Sequence, residues 1–252
     1  GSYVDESKMS LSDFLDYWFD EYVMLNCSYY TQISRKTTIK FLKEHIGNYS
    51  LKALTSIRIQ KFINDAYKSD MAYSTLKLRV EVLKNALKYA VYPCEFLKVN
   101  AAEHLKLPPK KEEKEKTNII DLKTFNKIID SISIRQTKFK IAFLLAFHTG
   151  MRLSEVCGLT WDKIDMINKE IKVEHILIYR DKEFFLASPK TKTSNRIIAI
   201  GPTLLKILEL ERARQIELRK EFAEYYFIHE SKKEFVCCHN EGKPIIPNTL
   251  KF

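Results

Sequence analysis

The sequence predicts a mainly α protein with a small antiparallel β-sheet, an α+β fold. The first half is helical in character, because residues 10–107 contain only Gly47 and Pro93 as helix breakers. Two prolines and a charged run over 108–117 indicate a linker after this half. Short segments rich in β-branched or aromatic residues then predict strands at 171–179, 183–187 and 196–200.

Four helices account for the first half. The first begins at a cap on Ser10 or Ser12. Its apolar residues recur at helical spacing and predict one buried stripe, formed by Leu11, Phe14, Leu15, Trp18, Phe19 and Tyr22. The other helices are expected at 34–45, 56–67 and 74–91, and Gly47 ends the second helix of the four.

The second half mixes helices with the predicted strands. Helices are expected at 121–131, 138–148 and 202–223. Asp121 caps the first of these, Gly150 follows the second, and Pro202 suits the first turn of the third. The stretch 235–252 is predicted to be strand and turn. Together these patterns predict a helical domain over 3–107, a linker over 108–117 and a second domain over 118–252.

The chain carries an excess of positive charge. Lys and Arg total 42 against 32 Asp and Glu, which gives a formal net charge of +10 and favours a polyanionic partner such as nucleic acid. Charges on an exposed helix face often serve only solvation, so charge alone leaves both explanations open. The basic residues expected on a DNA-binding surface are Arg35, Lys36, Lys40, Lys77, Arg79, Lys84, Lys192 and Arg196.

The same sequence disfavours several other classes of protein. The longest apolar run, 141–147, is far shorter than the about 20 residues that span a bilayer. Five cysteines without disulfide-like spacing favour a reduced, cytoplasmic setting. Cys237, Cys238 and His239 are adjacent but lack a second group of metal ligands, so we expect no metal site.

Two segments of the second half, 148–165 and 188–202, carry recognisable motifs. Residues 148–165 read HTGMRLSEVCGLTWDKID, and Thr149, Gly150, Arg152, Ser154, Glu155, Gly158, Leu159, Trp161, Asp162 and Asp165 in them resemble the first catalytic box of the tyrosine recombinases, the family of phage and conjugative-transposon integrases. Residues 188–202, SPKTKTSNRIIAIGP, are similar to the loop that delivers the active-site lysine, with Lys190 as the candidate and Lys192 as its competitor. The first half resembles the family's core-binding domain in its helix count, its break at Gly47 and its linker position.

The resemblance implies a fold, a function and partners. The fold would be a helical core-binding domain followed by a tyrosine-recombinase catalytic domain. The function would be site-specific recombination for a mobile element in a bacterial cytoplasm, through a 3′-phosphotyrosyl intermediate and without metal or cofactor. Partners would be double-stranded DNA, further copies of the chain in a tetramer, and accessory DNA-bending proteins. The alternative is a sequence-specific DNA-binding protein that keeps a decayed recombinase fold without catalysis.

The residue types in the two segments suit phosphoryl transfer. A guanidinium donates two parallel hydrogen bonds to a phosphate, so Arg152 is the expected phosphate ligand, with Glu155 as its orienting partner. A lysine with a lowered pKa, Lys190 by resemblance, can protonate the departing 5′ oxygen. No His-x-x-Arg box followed by a tyrosine occurs before Phe252, and Tyr225 and Tyr226 are interpreted as packing residues at a helix end. We therefore expect these 252 residues to bind DNA without cleaving it.

Overall fold

A computed structural model of the chain describes residues 9–69, 71–110, 119–132, 138–188 and 195–250. The chain divides into two compact units, Gly1–Lys116 and Thr117–Phe252. Within the described ranges, no helix combines the length and the apolar character needed to cross a membrane. The predicted fold class, mainly α with a small amount of antiparallel β-structure, is confirmed.

In its described residues, the first unit consists of helices and the segments that connect them. The helices are α1 (Leu11–Trp18), a π-helical turn (Phe19–Val23), α2 (Met24–Asn26), α3 (Tyr29–Ile46), a 3-10 turn (Leu51–Ala53), α4 (Ser56–Lys68) and α5 (Tyr73–Val91). The cap predicted at Ser10 or Ser12 lies at Ser10, whose Oγ accepts a hydrogen bond from Asp13 N at 3.0 Å. Four residues of the predicted stripe, Leu11, Phe14, Leu15 and Trp18, are fully buried, whereas the inclusion of Tyr22 was wrong, because that residue, in the π-helical turn after α1, is 38% exposed.

The start of the second predicted helix was wrong. That helix, α3, begins at Tyr29 rather than Ser34. The start was missed because residues 29–33, YYTQI, are too few to establish a helical apolar period by themselves. Gln32 stabilises this early start, since its Nε2 donates hydrogen bonds to the carbonyl oxygens of Met24 at 3.0 Å and Cys27 at 2.9 Å. The side chain of Gln32 thereby satisfies carbonyl groups that the turn between α2 and α3 leaves free.

The α-helices in the described part of the second unit are α6 (Leu122–Ser131), α7 (Lys140–Thr149), α8 (Leu153–Cys157) and α9 (Pro202–Phe222). The predicted cap on α6 is confirmed, because Asp121 Oδ1 accepts a hydrogen bond from Thr124 N at 2.7 Å. The predicted end of α7 is also confirmed, at Gly150 with a φ of 64°. Helix α8 has only five residues, too few to produce a detectable apolar period in the sequence.

The strands that the structure describes in the second unit form two antiparallel sheets rather than the single sheet predicted. They are β1 (Ile164–Asp165), β2 (Glu170–Val173), β3 (Ile176–Arg180), β4 (Glu183–Ala187) and β5 (Arg196–Ala199). One sheet has the order β1-β2-β5, and the other is the β3-β4 hairpin. The single strand predicted at 171–179 was wrong, because the chain changes pairing partner after Val173. The last stretch adds isolated bridges, Thr160 to Phe235 and Cys238 to Pro244.

Candidate functional site

Arg152 is displayed at a sharp turn between α7 and α8. Gly150 has a left-handed φ of 64°, a conformation that other residues adopt only with strain, and it allows the chain to turn sharply after α7. Met151 N then donates a hydrogen bond to Thr149 Oγ1 at 3.2 Å, and the Met151 side chain is buried. Arg152 follows as the residue that caps α8, with 70% of its side chain exposed. The turn therefore buries Met151 and leaves the side chain of Arg152 exposed to solvent.

Glu155 is the hydrogen-bond partner of Arg152. Its side chain is 1% exposed, and it lies in the first turn of α8, where a carboxylate is favoured by the helix dipole. Glu155 Oε2 accepts a hydrogen bond from the backbone N–H of Arg152 at 2.9 Å, and Oε1 accepts one from Arg152 Nη1 at 2.9 Å. These two hydrogen bonds support the proposal, made from the sequence, that Glu155 orients the Arg152 side chain.

Arg196 is the third member of the cluster. It is the first residue of β5 and pairs with Val173 of β2. Its Nη2 donates to Glu155 Oε2 at 2.9 Å and its Nη1 to Oε1 at 3.3 Å, so both carboxylate oxygens receive hydrogen bonds from both arginines. Sequence reasoning assigned Arg196 to a DNA-binding surface and gave no signal for its contact with Glu155. The contact joins residues 41 positions apart, which only the folded sheet brings together.

The charge on Glu155 is set by two opposing effects. Burial alone would raise the pKa of Glu155, but hydrogen bonds from Arg196 and Arg152 outweigh it and lower the pKa below its ordinary value. Glu155 is therefore ionised at neutral pH. Two guanidiniums around one carboxylate leave the cluster with a net positive charge, which suits it to hold an anion such as a phosphate.

Helix α8, which carries Glu155, is packed into the core of the second unit. Val156 and Cys157 are fully buried, and Val236 N donates a hydrogen bond to Leu159 O at 3.0 Å. Gly158 lies so close to β3 that a Cβ atom there would stand 2.7 Å from Leu177 N. The glycine after α8 therefore permits a close approach of the helix end to the hairpin strand.

Other residues of the 148–165 segment have structural contacts. Trp161 Nε1 donates a hydrogen bond to Gln215 Oε1 at 2.8 Å, which ties the segment to α9. Asp165 Oδ1 accepts hydrogen bonds from the backbone N–H groups of Ile167 at 3.0 Å and Asn168 at 2.8 Å, which closes a tight turn before β2. Much of the segment thus forms the frame that positions Arg152 and Glu155.

The candidate lysines lie outside the described residues. Lys190 and Lys192 fall within 189–194, between β4 and β5. The described strands on each side are paired, Ala187 with Ile176 and Arg196 with Val173. Because Arg196 also contacts Glu155, the strand that follows this segment begins at the Arg152 site.

The candidate DNA-binding residues of the first unit fall into two groups. Four lysines have exposed side chains, namely Lys36, Lys40, Lys77 and Lys84. The two arginines are packed instead, Arg35 with its guanidinium carbon 5.2 Å from the Trp18 ring centre and Arg79 3.3 Å from that of Phe41. Arg79 Nη1 also lies 3.2 Å from Met71 Sδ, and burial lowers the pKa of Arg79. Among these candidates, the four lysines therefore face solvent more than Arg35 and Arg79 do.

Tyr225 and Tyr226 follow α9 and differ in environment. Tyr226 is buried, as expected of a packing residue, and its burial raises its pKa. Tyr225 is 79% exposed, so its interpretation as a packing residue was wrong. Burial likewise raises the pKa of the Cys238 thiol to about 12, which marks it as a core residue. Among the described residues, no group of three or more His, Cys, Asp or Glu side chains is arranged to hold a metal ion.

Comparison with protein families gives two matches that together extend over most of the chain. Residues 118–251 match the phage integrase family. Residues 10–67 match the N-terminal SAM-like domain of phage integrases.

Two relatives illustrate the sequence similarity. A protein described as tyrosine recombinase XerC-like, from Caldanaerobacter subterraneus, is 29% identical over 99% of this chain and 67% of its own length. The ICEBs1 integrase of Bacillus subtilis is 32% identical over 71% of this chain. The alignment spans 49% of that integrase, about half of its length.

Solved structures resemble the chain in fold. The Tn1549 transposon integrase in complex with transposon right end DNA superimposes with a TM-score of 0.75 at 20% identity, over 94% of this chain and 73% of that one. A lambda integrase tetramer bound to a Holliday junction superimposes with a TM-score of 0.64 at 16% identity, over 96% of this chain and 61% of that one.

Proposed function

Because the chain belongs to the phage integrase family, we propose that it contributes the DNA-binding and phosphate-binding parts of a site-specific recombinase of a mobile element. The recombinase cuts and rejoins DNA through a 3′-phosphotyrosyl intermediate, without metal or cofactor. The first unit is its core-binding domain, and residues 118–252 belong to its catalytic domain. Its partners are double-stranded DNA, further copies of the chain in a tetramer, and accessory DNA-bending proteins.

One observation carries this proposal. The side chain of Arg152 is 70% exposed, while the buried carboxylate of Glu155 accepts hydrogen bonds from both its backbone N–H and its guanidinium. In phosphoryl transfer such a preorganised donor binds the non-bridging oxygens of the scissile phosphate and stabilises the charge that develops there. Removal of one such donor costs about 3 to 4 kcal/mol at the transition state, or about two to three orders of magnitude in rate.

Two further roles complete the proposed chemistry. Lys190, with Lys192 as its competitor, is proposed to protonate the 5′ oxygen as it leaves, a role open to a lysine because positive charges in a phosphate-binding site lower a lysine pKa. The attacking tyrosine is not among these 252 residues, because no His-x-x-Arg box with a tyrosine after it occurs in them. The 252-residue chain therefore binds duplex DNA but forms no covalent adduct with it.

Arg152→Ala tests the proposed function. In the natural protein that contains these residues, the variant should lose cleavage by a factor of at least about 100. It should keep its affinity for duplex DNA within about threefold, since one phosphate contact is a small part of the interface. Cleavage is measured as covalent protein–DNA adduct on a nicked duplex, and affinity by fluorescence anisotropy.

The outcomes separate three cases. Equal loss of binding and cleavage would contradict the role assigned to Arg152. An adduct formed by the 252-residue chain alone would contradict the placement of the nucleophile outside it. Specific duplex binding without any adduct from the natural protein would favour the alternative function, a DNA-binding protein without catalysis.

A further inference from the structure

We infer that Arg196 is a positioning residue for the reaction, which keeps Arg152 available to the phosphate by sharing its carboxylate partner. This inference rests on the proposed function, because it concerns the phosphate bound by Arg152. Arg196 was expected to contact DNA directly, and in the structure its guanidinium donates two hydrogen bonds to the buried carboxylate of Glu155.

The hydrogen bonds around Glu155 support this role. Arg152 gives Glu155 one side-chain hydrogen bond, from Nη1, besides the bond from its backbone N–H. Arg196 gives two side-chain hydrogen bonds, one to each carboxylate oxygen. A buried carboxylate needs several hydrogen-bond donors. Because Arg196 donates two hydrogen bonds to Glu155, a second guanidinium nitrogen of Arg152 is not required for this purpose. The remaining N–H groups of Arg152 are thus left for an external anion.

The charges lead to the same conclusion. With Arg196, two positive charges surround one negative charge, so the cluster has a net charge of +1; without it, the Arg152–Glu155 pair is neutral. Because Glu155 is only 1% exposed, water screens its charge poorly, and the carboxylate cancels much of the field of Arg152 at an incoming phosphate. Arg196 is 30% exposed against 70% for Arg152, which fits a neutralising role for the former and a binding role for the latter.

Inorganic phosphate tests the inference on the 252-residue chain. The side-chain ¹⁵N signals of Arg152, assigned by comparison with Arg152→Lys, are followed during phosphate titration. Arg196→Gln should weaken phosphate binding about tenfold, the size expected for loss of one charge-assisted partner, and Arg196→Lys should stay within about threefold of wild type. Lys220→Gln serves as the matched control, because it removes one positive charge from an exposed pair with Glu217 and should leave phosphate binding unchanged.

A double variant separates charge from folding. In Glu155→Gln/Arg196→Gln, Arg152 regains an uncancelled positive charge, so phosphate affinity should recover to within about threefold of wild type. A purely structural role for Arg196 predicts no such recovery. Thermal melting of each variant shows whether the second unit is still folded.

Cleavage by the natural protein supplies the catalytic readout. Arg196→Gln should lower the single-turnover cleavage rate at saturating DNA about tenfold or more, while DNA affinity stays within about twofold. Unchanged phosphate binding and cleavage in a folded Arg196→Gln variant would overturn the inference and leave the proposed function intact. If the Arg152 signals of the wild-type chain fail to respond to phosphate, the role of Arg152 and the inference fall together.

Discussion

Glu155 is the buried charge on which the candidate site depends. Hydrogen bonds from two arginines lower its pKa below the ordinary value of 4.5, although burial opposes this. A group whose pKa is lower in the folded state stabilises the fold above its unfolded pKa. That stabilisation is lost as the pH falls through the folded pKa.

Glu155→Gln should therefore destabilise the protein in a pH-dependent way. At pH 7 the free energy of unfolding of the variant should be about 2 to 3 kcal/mol lower than that of wild type, because a neutral amide replaces a charged acceptor of several hydrogen bonds. The difference from wild type should shrink as the pH falls below about 4.5. Urea unfolding between pH 3 and pH 7 measures it, and a difference independent of pH would contradict the ionised state assigned to Glu155.

The short helix α8 shows how one element fixes the geometry of the site. Its end packs so closely on β3 that a Cβ at Gly158 would lie 2.7 Å from Leu177 N and 2.9 Å from Ile176 C. Both atoms belong to the backbone, so neither can move aside as the end of a flexible side chain would. Gly201 offers a matched control, because a Cβ there would meet no atom within 4 Å.

Gly158→Ala should accordingly push α8 away from the hairpin. We expect a loss of about 1 to 3 kcal/mol in unfolding free energy, typical of overpacking, and weaker phosphate binding at Arg152. Gly201→Ala should change neither property by more than about 0.5 kcal/mol. Thermal melts and phosphate titrations of the two variants check this, and equal effects would show that the close approach is not what constrains α8.

The elements that the sequence predicted well are those with strong local signals. Ser10, Asp121 and Gly150 each mark a helix end by a side-chain cap or a left-handed turn, and the helix ends lie there. The split of the predicted strand 171–179 depends instead on pairing with strands that come later in the chain. Local propensity cannot reveal such partners, which explains both the missed break and the count of one sheet instead of two.

At the scale of the whole molecule, the site combines residues that are close in sequence with one that is not. Arg152 and Glu155 are three positions apart and could be paired from the helical spacing alone. Arg196 reaches Glu155 through the order of strands in the β1-β2-β5 sheet, over 41 positions. The sequence therefore singled out the proposed phosphate ligand, Arg152, and its hydrogen-bond partner Glu155, whereas the contact of Arg196 with Glu155 became visible only in the fold.

The distribution of charge in the first unit leads to a prediction for the whole chain. With a formal charge of +10, the chain should bind duplex DNA with an affinity that falls steeply with salt. The exposed lysines should account for much of this slope, because a cation that contacts a phosphate releases a counterion. Arg35 and Arg79, which pack on aromatic rings, should account for little of it.

Glutamine at Lys36, Lys40, Lys77 and Lys84 together should make the slope of log Kd against log salt shallower by about 3 to 4, at about 0.9 per phosphate contact. Arg35→Gln/Arg79→Gln, in contrast, should lower the melting temperature with little change of slope, because these guanidiniums contact Trp18 and Phe41. Anisotropy titrations of a random duplex between 50 and 200 mM salt provide the slopes. An unchanged slope in the lysine variant would place the DNA-binding surface of this unit elsewhere. A large change in the arginine variant would mean that the packed arginines turn outward when DNA binds.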